Sequence, residues 1–148
     1  MKEITIRELK ENPVKLISED WALLTVKDAE KGSCNPMTVS WGSVGELWGA
    51  DMATIYVRES RYTKTLLDNE DYFSLCFFGG KQKEALSFCG SKSGRDCDKV
   101  KETGLTPVYS ENAPYFKEAE IVLICRKKAR TFLGEDSFLD LSLIHISE

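Results

Sequence analysis

The sequence contains a single histidine, His145, and its cysteines follow no metal-binding or redox spacing. No Cys-x-x-Cys pair occurs, and an odd number of cysteines cannot all pair in disulfide bonds. We therefore expect free thiols in a reducing compartment and no metal centre. Cys76 and Cys125 lie in apolar, strand-like runs and are expected to be small core residues. The five cysteines are Cys34, Cys76, Cys89, Cys97 and Cys125.

The chain also lacks an excess of positive charge and any long apolar run. Its net charge is −4, whereas a nucleic-acid-binding domain normally presents a basic face. No stretch approaches the roughly 18 consecutive apolar residues of a membrane-spanning helix. The charged N-terminus, Met-Lys-Glu-Ile-Thr-Ile-Arg, has none of the apolar core of a signal peptide. We expect a cytoplasmic protein with neither a nucleic-acid nor a membrane partner.

Two phosphate-binding fingerprints are missing as well. Neither G-x-G-x-x-G nor G-x-x-x-x-G-K-[ST] occurs, so a classical Rossmann fold and a P-loop have no motif support. The 148 residues are 42% hydrophobic and 30% charged, which is typical of an ordinary soluble domain with a hydrophobic core. We therefore expect a single globular domain.

Short strand-like segments, rich in β-branched and aromatic residues, dominate the chain. They span residues 21–26, 37–44, 52–57, 72–78 and 120–126, with turns at 31–36 and 78–81. Short helices are predicted over residues 60–67, 81–89 and 95–102, with Ser60 and Asp96 as N-caps and Gly90 and Gly104 as ends. Because strands and helices do not alternate regularly, we expect mostly β structure with short helices, arranged as an antiparallel barrel.

Two polar segments that follow strand-like runs can form a ligand site. Residues 35–45, Asn-Pro-Met-Thr-Val-Ser-Trp-Gly-Ser-Val-Gly, alternate like a strand and then break into small residues beside an indole. Residues 58–63, Arg-Glu-Ser-Arg-Tyr-Thr, carry two guanidinium groups and a hydroxyl, which suit a phosphate. An indole with neighbouring hydrogen-bonding groups suits a flat ring. The pattern indicates a flat, phosphorylated cofactor, although a buried strand end and solvated surface arginines explain the same residues.

These two segments are followed by residues 91–99, Ser-Lys-Ser-Gly-Arg-Asp-Cys-Asp-Lys. The three occur in the order seen in flavin reductase-like proteins with the FMN-binding split-barrel fold, the group that includes flavoredoxin. The chain resembles this family over roughly residues 20 to 140. The resemblance implies a Greek-key split β-barrel, an FMN cofactor, and a homodimer with FMN at or near the subunit interface. The expected cofactor-binding residues are Asn35, Thr38, Ser40, Trp41, Arg58, Arg61, Thr63 and Lys99.

Within that set, the resemblance implies a role for each part of the site. Asn35 and Trp41 match positions at the flavin ring, and the Arg-x-x-Arg-x-Thr segment matches the phosphate site. The lysine that ends the third segment, Lys99, faces the cofactor in similar proteins.

The resemblance further implies an FMN-dependent redox protein that takes electrons from NADH, NADPH or a redox partner and passes them to an acceptor. Because the flavin itself carries this chemistry, no catalytic side chain is expected. Two alternatives remain open. One is an electron-carrying flavoprotein without nicotinamide activity, and the other is a non-catalytic small-molecule binding module, since a fold does not fix a function.

The C-terminal residues depart from the family pattern. The resemblance ends near Asp140, where similar proteins continue with further strand and a histidine-containing segment. We therefore expect a domain over residues 1–140 that is incomplete at its C-terminus, and a non-native tail over residues 141–148. His145 in that tail is not assigned the role of the family's histidine.

Overall fold

A computed structural model describes residues 2–143 and consists mainly of antiparallel β-strands. The strands are β1 Ala22–Asp28, β2 Ser33–Val39, β3 Gly42–Leu47, β4 Ala50–Ile55, β5 Tyr72–Phe77, β6 Pro107–Tyr109, β7 Pro114–Phe116 and β8 Ile121–Arg126. One sheet has the order β2-β1-β5-β8, and the β3–β4 and β6–β7 hairpins form two-stranded sheets. The predicted fold class, antiparallel β with short helices, is confirmed.

Short helices connect these strands. The α-helices are α1 Pro13–Lys15, α2 Tyr62–Leu67, α3 Lys83–Ser91 and α4 Lys99–Thr103. A π-helical turn, Leu16–Asp20, leads into β1, and 3-10 turns lie at Ile6–Glu8 and Glu135–Ser137. Both α3 and α4 pack on β2, so the two helices cover the strand that carries Asn35 and Thr38 and leads to Ser40 and Trp41.

The two inner strands of the four-stranded sheet, β1 and β5, are buried on both faces. Leu24 and Phe77 belong to one apolar cluster, which also contains Leu16 from the π-helical turn. Leu23 and Cys76, the neighbours of these two residues, belong to a second cluster on the opposite face. This division follows from the two-residue alternation of side chains along a strand. Burial on both faces makes β1 and β5 a fixed framework beside β2.

The strand predictions are confirmed except at one segment. The predicted strands 21–26, 52–57, 72–78 and 120–126 correspond to β1, β4, β5 and β8. The single predicted strand 37–44 is wrong, because β2 begins at Ser33, within the predicted turn 31–36, and ends at Val39, while β3 begins at Gly42. A Cβ atom at Gly42 would overlap the Thr54 carbonyl oxygen, so this glycine permits close pairing of β3 with β4. The hairpin strands β6 and β7 were not predicted, since three residues are too few to show an alternation.

The three predicted helices exist, but their N-termini lie further along the chain. The N-cap of α2 is Arg61 rather than Ser60, and it makes no side-chain capping bond. The N-cap of α4 is Asp98 rather than Asp96, and its side chain accepts a hydrogen bond from the backbone N–H of Lys101 at 3.2 Å. The predicted caps were therefore wrong by one and two residues.

Glycine positions were predicted with mixed success. Gly104 ends α4 in the left-handed region, with φ of 71°, as predicted. Gly79 and Gly80 form the predicted turn after β5, with φ of 63° and 79°. Gly90, in contrast, lies inside α3, which continues to Ser91. The reason for a glycine at this position lies in the close approach of β2, described below.

The strand β8 forms one edge of the four-stranded sheet in residues 2–143. After it, Phe132 and Leu139 are 70% and 101% exposed. Of the predicted tail, residues 144–148 with His145 lie outside the described residues. The helices of residues 2–143 include none that is long and apolar enough to cross a membrane.

Candidate functional site

Two hollows lie along β2, one beside the start of the strand and one beside its end. The first, here called the Asp28 cavity, has a volume of about 360 Å³. The second, here called the Trp41 cleft, has a volume of about 200 Å³. The Trp41 cleft is lined by Met37, Trp41, Tyr56, Arg58, Arg61 and Gly90. The Asp28 cavity is lined by Asp28, Lys31, Ser33, Cys34, Asn35, Gly94, Arg95, Asp96, Cys97, Asp98 and Lys99.

The Trp41 cleft combines an indole with two guanidinium groups. The Arg58 guanidinium carbon lies 5.2 Å from the centre of the Trp41 ring, within the range of a cation–π interaction. Arg58 is exposed and Arg61 is half-buried. Burial, followed by the nearby charge of Arg58, lowers the pKa of Arg61, but arginine remains protonated in proteins. The cleft therefore offers an aromatic surface and two permanent positive charges to a ligand.

The Arg61 side chain is oriented by the end of α3. Its Nη1 donates to the Gly90 carbonyl oxygen at 2.9 Å, and its Nη2 donates to the Cys89 carbonyl oxygen at 3.3 Å. A guanidinium has five N–H donors, so these two bonds leave donors free for an anion in the cleft.

Asn35 and Thr63 lie together, away from the Trp41 cleft. The Asn35 Nδ2 donates to the Thr63 Oγ1 at 2.8 Å, and the two residues are 5% and 1% exposed. Gly94 packs against this pair so closely that a Cβ atom there would overlap the Asn35 Oδ1. The pair therefore ties β2 to α2 under the loop that contains Gly94.

Lys99 is buried between β2 and α3, at 3% exposure. Its Nζ donates to the carbonyl oxygens of Pro36 and Cys89, both at 3.0 Å. Burial lowers its pKa to about 8, and the charge of Arg61 acts in the same direction. Lys99 lines the Asp28 cavity rather than the Trp41 cleft.

Thr38 lies near the end of β2, and Ser40 lies just after that strand, directly before Trp41. The Thr38 hydroxyl donates to the Leu86 carbonyl oxygen of α3. A Cβ atom at Gly90 would lie only 3.3 Å from the Thr38 Cβ, so glycine allows α3 to pack closely on β2. Ser40 is half-buried between β2 and β3. Of these two, Ser40 is the immediate neighbour of the indole.

The predicted set of site residues is thus divided among three places. Trp41, Arg58 and Arg61 meet in one cleft, and Ser40 directly precedes the indole in the sequence. Asn35 and Thr63 bond to each other. Thr38 and Lys99 each donate to a backbone carbonyl of α3. The sequence reasoning missed Met37, Tyr56 and Gly90 as cleft residues. Tyr56 carried a usable signal, because it precedes Arg58 by two residues and side chains two apart in an extended segment share a face.

A second charged cluster lies beside the Asp28 cavity. The Tyr62 hydroxyl donates to the Asp28 Oδ2 at 2.6 Å, and this bond, with burial, raises the pKa of Tyr62 to about 12. The ammonium of Lys31 and the guanidinium of Arg95 lie 4.9 and 5.5 Å from the centre of the Tyr62 ring. Lys31 also donates to the Gly94 carbonyl oxygen at 2.7 Å. These contacts fix the loop before α4 onto α2.

The cysteines described by the structure are free thiols, as predicted. Burial raises the pKa of Cys34, Cys89 and Cys125 to about 11. Such thiols are protonated at neutral pH and therefore poor nucleophiles.

Comparison with known proteins identifies the family of this chain. The family model of the flavin reductase like domain matches residues 15–141, which contain every predicted site residue. Among curated proteins, a sequence search finds no match.

Several solved structures share the fold. Flavoredoxin from Desulfovibrio vulgaris (Miyazaki F) has a TM-score of 0.70 at 20% identity, covering 88% of this chain and 68% of its own. Flavoredoxin from Methanosarcina acetivorans has a TM-score of 0.61 at 27% identity, covering 85% and 64%. The styrene monooxygenase flavin reductase from Pseudomonas putida S12 has a TM-score of 0.59 at 17% identity, covering 74% and 67%. The chain therefore spans about two thirds of the length of these proteins.

Proposed function

Because this chain belongs to the family of flavin reductase-like domains, we propose that it is an FMN-dependent redox protein whose flavin lies in the Trp41 cleft. The observation that carries the proposal is the grouping of Trp41, Arg58 and Arg61 around one hollow. These residues come from two segments of the sequence, and they supply an aromatic surface together with phosphate-binding groups. The donor set thus fits a planar cofactor that carries a phosphate.

The proposed phosphate ligands are Arg58 and Arg61. Arg61 is already oriented by two carbonyl groups of α3, so little side-chain entropy remains to be lost when an anion binds. Arg58 is exposed and close to the indole, and it can reach an anion at the mouth of the cleft. Two guanidinium groups on one phosphate provide both charge and directed hydrogen bonds.

The remaining predicted residues have supporting roles in this proposal. Ser40 adjoins the indole and is proposed to bond the polar edge of the ring. Asn35 and Thr63 hold β2 to α2, while Thr38 holds β2 to α3. These bonds fix the relative positions of Trp41 and Arg61.

The chemistry belongs to the flavin, which accepts a hydride or single electrons and passes them on when bound. The protein's own residues bind the phosphate, support one side of the ring and leave the open side of the cleft to an electron donor. NADH or NADPH is the proposed donor. No side chain is assigned a proton-transfer step.

A homodimer in the cytoplasm is proposed as the working form. The Trp41 cleft is small, and Tyr56 at its wall is 40% exposed, so a second copy of the chain can cover the flavin and complete its site. The buried free thiols suit a reducing compartment.

The test is an absorption spectrum of the protein after FMN is added and unbound flavin is removed by gel filtration. A yellow protein that elutes as a dimer and is bleached by NADH or NADPH without oxygen supports the proposal. A yellow protein that is bleached by dithionite but by neither nicotinamide is an electron carrier. A protein that is colourless after gel filtration and whose fluorescence is also unchanged by titration with FMN excludes both functions and favours a binding module for another ligand.

A further inference from the structure

Three side chains from three different elements donate to backbone carbonyls of α3, and two of them, Arg61 and Lys99, do so at its C-terminal end. Thr38 of β2 donates to the Leu86 carbonyl oxygen, Arg61 at the start of α2 donates to those of Cys89 and Gly90, and Lys99 of α4 donates to that of Cys89. The last carbonyls of a helix have no partners within the helix and carry partial negative charge. Two cations at this end therefore satisfy the free carbonyls and offset their charge.

One acceptor in this group is shared between the two cations. The Cys89 carbonyl oxygen receives Lys99 Nζ at 3.0 Å and Arg61 Nη2 at 3.3 Å. Lys99 also holds the Pro36 carbonyl oxygen of β2 at 3.0 Å. Lys99 is thus a bridge between the strand that leads to Trp41 and the carbonyl that orients Arg61.

We propose that Lys99 is a positioning residue, which holds the Cys89 carbonyl so that the Arg61 guanidinium presents its free N–H groups to the phosphate in the Trp41 cleft. This inference rests on the proposed function, in which Arg61 binds the FMN phosphate. It differs from the role that the family resemblance implies for Lys99, which is direct contact with the cofactor.

The burial and bonding of Lys99 support an indirect role. The residue is 3% exposed, and two of the three N–H groups of its ammonium bond to backbone carbonyls. Contact with a ligand in the Trp41 cleft would break bonds that hold α3 to β2, because Lys99 does not line that cleft. Arg61, in contrast, lines the cleft and bonds to the same carbonyl.

The test is a double-mutant cycle on Lys99 and Arg61 that compares FMN with riboflavin, which lacks the phosphate. The variants are Lys99→Met, Arg61→Ala and the double variant. Lys101→Met is the control, because this lysine lies on the same helix α4 and is exposed. Each dissociation constant is measured by titration of the protein's fluorescence with each flavin.

We expect Lys99→Met to weaken FMN binding by about tenfold, the effect of losing one well-placed charged hydrogen bond, and to leave riboflavin binding nearly unchanged. We expect the double variant to bind FMN no more weakly than Arg61→Ala, because Lys99 acts through Arg61. An additive cycle would show that Lys99 binds the phosphate independently, and an equal loss for both flavins would show a general structural role. Either result overturns the inference.

A measurement on the wild-type protein keeps the inference testable if Lys99→Met does not fold. In the flavin-free protein, nitrogen NMR of the Arg61 guanidinium should show restricted rotation and slow hydrogen exchange, because two of its N–H groups are bonded. A freely rotating Arg61 guanidinium would overturn the inference. Failure of the wild type to bind either flavin, or equal affinity for both, would instead refute the proposed function or its phosphate site, so the two failures are distinguishable.

Discussion

Asn35 and Thr63, which are 28 positions apart in the sequence, share a buried hydrogen bond of 2.8 Å from the Asn35 Nδ2 to the Thr63 Oγ1. This bond joins β2 to the first turn of α2. Because β2 leads to Trp41 and α2 begins after Arg61, the bond fixes the distance between the aromatic and the cationic sides of the cleft. Burial makes it important, since an amide without a partner in the interior is costly.

The first prediction concerns the stability provided by this bond. Thr63→Val keeps the side-chain shape but removes the acceptor of the Asn35 amide, so the free energy of unfolding should fall by about 1–3 kcal/mol. Thr63→Ser keeps the hydroxyl and should lose less. Urea unfolding of the two variants measures the difference. Thr65→Val is the matched control, because Thr65 lies on the same helix and is exposed, and equal losses at the two positions would show that the buried bond adds nothing.

The second prediction concerns the phosphate. FMN should bind at least about tenfold more tightly than riboflavin, since a hydrogen bond to a charged group contributes roughly 1.5–3 kcal/mol. Arg58→Ala should remove much of this preference. The control is Arg130→Ala, because Arg130 is exposed and pairs with Asp68. Superimposable titration curves for FMN and riboflavin would exclude a phosphate site at the arginines.

The third prediction concerns the indole. FMN binding should quench the fluorescence of Trp41, because the flavin is proposed to lie against its ring. Trp21 and Trp48 also emit, and Trp48 is 92% exposed, so the quenched fraction is compared between wild type and Trp41→Phe. A smaller quenched fraction is expected in the variant. Equal fractions would locate the flavin away from Trp41.

The sequence predicts those features that depend on residues close together along the chain, and it predicts contacts between distant segments less well. The strand β5 and the end of α4 at Gly104 were predicted because alternation and a stop signal are local. The grouping of Trp41 with Arg58 and Arg61 was suggested by their residue types and supported by the family resemblance, and these three residues do line one cleft.

The hydrogen bonds of other site residues were not predictable from local pattern. Thr38 and Lys99 donate to the backbone carbonyls of Leu86 and Cys89, which lie 48 and 10 residues away in the sequence. Backbone carbonyls occur at every residue, so no sequence pattern marks which ones a buried cation will reach. Only the packing of α3 on β2 specifies them.

The last prediction concerns the pH dependence that Lys99 confers. Burial lowers its pKa in the folded protein to about 8, from an ordinary value of 10.5. Between these values the unfolded chain holds a proton that the folded protein has released, so the contribution of Lys99 to stability rises with pH in this window. Below about pH 8 both states are protonated, and the cost of burying the ammonium is present in full.

The free energy of unfolding of the wild type, relative to Lys99→Met, should therefore increase from pH 7 to about pH 9.5. Denaturant unfolding at a series of pH values measures this difference. The Cys89 thiol has a pKa raised by burial and lowered by the charge of Lys99, so the comparison is repeated in a Cys89→Ala background, which removes that titration. A difference that stays flat across the window in both backgrounds would show that Lys99 keeps its ordinary pKa, and that its burial beside the Pro36 and Cys89 carbonyls does not shift that pKa.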